Sequence, residues 1–150
     1  MKRLITIIAL VFSIISVAQI KKIEITKPVE IGKVTPGGIF GIKCEKVDDT
    51  YLFTYRDTKF KNMDENKIFI IKDVDNAFDN LYLEIIDGFS KMPDQPVMLE
   101  FPDGYIYLSY RKFLGSTYVK ITHSNSKSEY ATLGFSQEIT KKQVDKLFGK

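Results

Sequence analysis

The spacing of apolar residues changes period several times along the chain, and each change marks an element. In IFGIKCEKV, Phe40, Ile42 and Cys44 alternate with polar positions, and Tyr51, Phe53 and Tyr55 do the same in YLFTYRD. A period of two belongs to a half-buried strand, so the two runs predict a hairpin closed by Asp48, Asp49 and Thr50. Upstream, IEITKPVEIGKV alternates Ile23, Ile25, Val29 and Ile31 with Pro28 on the other face, the pattern of a strand at a sheet edge. KIFIIK, ending at Lys72, is a further short apolar strand.

From Val74 the spacing becomes three and four, through Ala77, Phe78, Leu81, Ile85, Phe89 and Met92. This is the stripe of an amphipathic helix. Asp73 is placed to cap its start, Asp75 adds negative charge to its first turn, and Pro93 forbids its continuation. Period two returns in VMLEF, YIYLSYRKF, TYVKITH and YATLGF, which are separated by PDG at 102–104, Gly115 and SNSKS. These are four strands in hairpin succession, most simply a meander. Thr140 and Gln143 stand at the spacing of a capping box, followed by Val144, Leu147 and Phe148, so a short helix ends the chain. Together the elements predict an α+β fold: a mainly antiparallel sheet of roughly eight strands in hairpins, one long helix packed on it and a short C-terminal helix. Too few helices lie between strands for a doubly wound fold.

Residues 1–18 stand apart from this pattern. Lys2 and Arg3 precede the uncharged run LITIIALVFSIISV, and Ser16-Val17-Ala18 supplies small residues for cleavage, the three parts of a secretory signal. An uncleaved anchor is the alternative, but the charge-free run reaches only to Ile20, is interrupted by Gln19, and barely spans a bilayer. The expectation is a signal peptide at 1–18 and a single α+β domain at 19–150, secreted or periplasmic in a bacterial cell, with no stable membrane insertion after cleavage. Loss of Lys2 and Arg3 from 22 basic residues, against 19 acidic ones, lowers the net charge from +3 to +1. Arg56 and Arg111 are then the only arginines, too few for a phosphate-reading surface, so nucleic acid is not an expected partner.

Candidate chemistry is sparse. One cysteine cannot form an internal disulfide, and the alternation of Cys44 with Phe40 and Ile42 points to a buried thiol. Asp73, Asp75, Asp79 and Glu84 fall at positions one, three, seven and twelve of a calcium-binding loop, but Ala77 and Phe78 occupy positions that need an oxygen ligand and a glycine. A capped helix explains them better. His123, the only histidine, lies at a strand end and reads as structural. Ser116 and Ser136 lack the G-x-S-x-G elbow of an activated nucleophile. No cofactor or metal is expected.

Two readings of function remain. Tyr105 and Tyr107 share a strand face with Arg111, opposite Ile106 and Leu108, and an exposed set of this kind could stack on a sugar ring or anchor a partner protein. The leading expectation is therefore a non-enzymatic binding domain that uses its sheet surface, with Tyr105, Tyr107 and Arg111 as ligand-binding residues and no catalytic ones. The alternative is a metal-independent hydrolase drawing a carboxylate pair from Asp57, Glu100 and Asp103, which lie at strand ends or turns.

Overall fold

The computed structural model describes residues 26–59 and 64–150, so residues 1–18, expected to be a signal peptide, and Ile23 and Ile25 lie outside the described residues. Strands β1 (Val29–Val34), β2 (Ile42–Val47), β3 (Thr50–Arg56) and β4 (Asn66–Lys72) pair antiparallel in that order. Strands β5 (Val97–Phe101), β6 (Gly104–Phe113), β7 (Ser116–Ser124) and β8 (Leu133–Phe135) make a second antiparallel sheet, and β9 (Ile139–Thr140) pairs with β7. Helix α1 (Ala77–Lys91) connects the sheets, and α2 (Lys141–Leu147) ends the chain. The expected α+β architecture is thus present, with its strands divided between two sheets.

Alternation decides which faces meet. Tyr51, Phe53 and Tyr55 of β3, Phe69 and Ile71 of β4, Ile106 and Leu108 of β6, and Val119 and Ile121 of β7 all turn inward and join one core. Phe78, Leu81 and Ile85 of α1 enter the same core, where Phe78 stacks on Tyr51 at 3.8 Å between ring centroids. Tyr110, the last inward residue of β6, donates its hydroxyl to the carbonyl of Ile85 at 3.0 Å and so ties the second sheet to α1.

Three local expectations are corrected. Helix α1 begins at Ala77 and not at Val74, because Asp75 and Asn76 take left-handed backbone angles (φ 54° and 59°) that leave Val74 65% exposed. The N-cap position therefore falls on Asn76, whose side chain makes no cap bond, and not on Asp73, although the Asp73 carboxylate still accepts the Phe78 amide in the first turn at 3.2 Å. In β1 the pairing slips between Glu30 and Gly32, a bulge that turns Gly32 and Val34 inward and leaves Val29 on the surface. An extra residue in one strand reverses the alternation that follows it. The last strand run is also shorter than YATLGF implies: β8 holds only Leu133–Phe135, and β9 was not foreseen.

Cys44 lies fully buried on the inner face of β2, and burial, reinforced by the charge of Glu45, pushes its thiol up to about 12. A thiol needs both access and ionisation to react. Native protein should therefore resist a colorimetric thiol reagent and release one equivalent of colour on unfolding in urea; labelling at the same rate in both states would show that the inner face of β2 is misassigned.

Candidate functional site

Beside the first sheet's free edge, the Asp57 carboxylate joins the two sheets. It is fully buried at the end of β3, where its Oδ1 accepts the amides of Lys59 (2.9 Å) and Phe135 (3.2 Å) and its Oδ2 lies 2.8 Å from the ammonium of Lys67. Among the described residues Oδ2 has no further hydrogen-bond partner. Lys67 also donates to the carbonyl of Leu133 at 3.3 Å, so the residue that follows β3 and one of β4 both grip β8. Burial alone would raise this carboxyl, but Lys67 and the two amides outweigh it and hold Asp57 below the usual carboxylate range.

His123 stands next to this tie, inward on β7 and paired with Gly134 of β8. Its ring lies 5.4 Å from that of Phe69 and edge-on to Tyr55 at 6.4 Å, centroid to centroid. Burial, helped by the charge of Lys67, pushes its pKa below 6.5, so the imidazole is neutral at pH 7. Burial also raises Tyr55. Tyr55 therefore keeps its proton, and its hydroxyl oxygen lies 3.5 Å from Nδ1, a long contact in which the imidazole tautomer decides which group donates.

Two clefts meet at this histidine. The first, about 200 Å³, runs between Ile68 and Ile70 of β4 and the β5–β6 hairpin, where Phe101, Asp103 and Tyr105 face them. The second, about 220 Å³, lies on the Lys67 and Gly134 side; Ile68, His123 and Asn125 line both. Each is smaller than the roughly 300–1,000 Å³ of a typical small-molecule pocket, a size suited to one ring or one side chain of a larger ligand.

The structure divides the three residues nominated from sequence. Tyr105 and Tyr107 do face outward on β6, half-buried, with ring centroids 6.3 Å apart, and Tyr105 also lines the first cleft. Arg111 belongs elsewhere. It makes a bidentate pair with Glu138, and its guanidinium stands over Phe113 (5.0 Å) and near Tyr118 (5.8 Å). Among the strand-end acids, Asp57 is committed to Lys67 and Glu100 pairs with Lys127, which leaves Asp103 at the cleft. Ser136 is buried, accepting the Ile121 amide at 3.0 Å and donating to Gln137 at 2.9 Å. Ser116 lies in the exposed β6–β7 turn region.

Sequence reasoning missed Ile68, Phe101 and Asn125. Only KIFIIK carried a signal, because a run of four consecutive apolar residues from Ile68 to Ile71 exceeds what one buried face needs and puts Ile68 and Ile70 on the outside, each about half exposed. Comparison with family models, with curated proteins and with solved structures finds no match to this chain.

Proposed function

We propose that this is an exported, non-catalytic binding domain that receives one uncharged ring or apolar group of its ligand in the cleft between β4 and the β5–β6 hairpin, with Tyr105 as the stacking surface. The observation that carries the reading is the character of the cleft wall. Ile68, Ile70, Phe101 and Tyr105 supply apolar surface, whereas Asp103, Asn125 and the neutral His123 supply a few hydrogen-bonding groups. That is a recognition surface in composition. A carboxylate-pair hydrolase finds less support, since two of its three candidate acids are already paired with lysines.

A panel of monosaccharides and small aromatic amides, screened by saturation-transfer NMR, tests this reading. Tyr105→Ser with Tyr107→Ser should lower the unfolding free energy by no more than about 2 kcal/mol, since each outer-face tyrosine loses cross-strand pairing of about 0.2–1 kcal/mol. The same double variant should weaken any ligand found about tenfold or more, as expected for an aromatic anchor. Unchanged affinity in a folded double variant would remove Tyr105 from the site.

A further inference from the structure

The β6–β7 hairpin ends in a two-residue turn whose chemistry is wrong for a turn alone. Phe113 pairs with Ser116, so Leu114 and Gly115 form the loop, and both take positive φ, 47° and 79°. A two-residue turn of this kind prefers asparagine, aspartate or glycine at its first position, because a branched side chain is strained there. Here a leucine occupies it, 87% exposed, beside Phe113, which is 50% exposed. Strain and exposed apolar surface coincide at one point of the molecule, and neither helps the fold.

The surroundings of the tip say what would cover it. Pairing with β5 stops at Leu108 and pairing with β9 at Tyr118, so the end of the hairpin projects past both neighbours. Lys112 stands immediately before Phe113, and Lys141 and Lys142 share a shallow cleft with Ser116 and Thr117. Arg111 is neutralised by Glu138 and Lys141 by Asp145, but among the described residues neither Lys112 nor Lys142 has an acidic partner. An apolar point between uncompensated cations matches the interface of an anionic bilayer, where apolar side chains enter at headgroup depth and lysines meet phosphate.

We propose that the β6–β7 tip is a peripheral membrane-contact site, in which Phe113 and Leu114 enter the headgroup layer of an anionic bilayer and Lys112 and Lys142 bind its phosphates. Two apolar residues and two free charges make a weak, reversible contact and not an anchor. The site is separate from the His123 cleft and does not depend on the function proposed there.

Co-sedimentation of residues 19–150 with phosphatidylglycerol–phosphatidylcholine vesicles, against phosphatidylcholine alone, tests it. Binding is expected to the anionic vesicles and to fall about tenfold or more at 1 M salt, where screening shortens electrostatic reach to about 3 Å. Leu114→Asn separates contact from turn formation: it should raise the melting temperature, because asparagine suits the left-handed position, while weakening vesicle binding severalfold. Lys112→Ala with Lys142→Ala should weaken binding to anionic vesicles and leave the melting temperature unchanged. No binding to either vesicle, equal binding to both, or binding unaffected by Leu114→Asn would each overturn the assignment.

Discussion

Replacing Gly32 by alanine should be among the most damaging single-methyl changes this chain can accept, lowering the unfolding free energy by about 3 kcal/mol or more. The reason lies in the backbone. A Cβ at Gly32 would stand 2.6 Å from the carbonyl oxygen of Leu147 and closer still to that of Lys146, both in the last turn of α2. Main-chain atoms of a packed helix cannot rotate away as a side-chain tip can, so α2 must move off β1. What moves with it is a large part of the core: Val144, Leu147 and Phe148 are buried, and the Phe148 ring lies 4.9 Å from Phe78 and 5.5 Å from Phe53. Gly37→Ala is the matched control, because Gly37 has positive φ (60°) but open space around it, and should cost only the backbone strain of about 1–2 kcal/mol. Urea unfolding of both variants, with limited proteolysis at the C-terminus, checks the pair. Equal losses would mean that α2 does not sit against β1 as described.

Gly32 also shows where reading the sequence stops. Strict alternation in IEITKPVEIGKV assigns Val29 and Ile31 to the inner face, and nothing local announces the slip that puts Gly32 and Val34 there. The bulge is legible only once α2 is in place, since its carbonyls need a position without a side chain. Elements whose stabilisation is local were readable: the stripe of Phe78, Leu81 and Ile85, and the Thr140–Gln143 capping box, in which each backbone amide donates to the other residue's side chain at 2.8 and 3.4 Å. The inward turn of Tyr51, Phe53 and Tyr55 was readable for the same reason, as period two needs no partner to be recognised. The cleft at His123 was not, because its walls come from β4, β6 and β7 and meet only through the packing of one sheet on the other. Tyr105 and Tyr107 were found from their parity on β6, whereas Arg111 shares that parity but pairs with Glu138, a neighbour that no spacing rule supplies. Asp57 looked like a candidate acid because strand-end carboxylates often serve chemistry; that it is fully buried and paired depends on Lys67 in the next strand and on the amide of Phe135, 78 residues away.

That buried carboxylate carries the other large effect. Asp57→Ala should cost about 3 kcal/mol, the low end of the range for breaking a buried ion pair, because it leaves the Phe135 amide without its acceptor in the interior while Lys67, partly exposed, keeps only the Leu133 carbonyl. Replacing it by asparagine keeps an acceptor for the amides and removes only the charge, so the loss should be smaller. The pH dependence identifies the cause. Native Asp57 titrates below its unfolded value of about 4, so its contribution is complete above that value and is lost as the pH falls through the lower, folded one. His123 acts in a separate window: its folded pKa is lowered, so the unfolded chain takes up a proton first and stability declines as the pH falls below about 6.5. Wild-type protein should therefore lose stability in two steps on acidification. Asp57→Asn should keep the step below pH 6.5 and lack the one below pH 4, and His123→Gln should show the reverse. Chemical denaturation across pH 3 to 8 measures both curves. An Asp57→Asn curve that still falls below pH 4 in parallel with the wild type would assign the acid sensitivity to other carboxylates and reduce Asp57 to one polar contact among many.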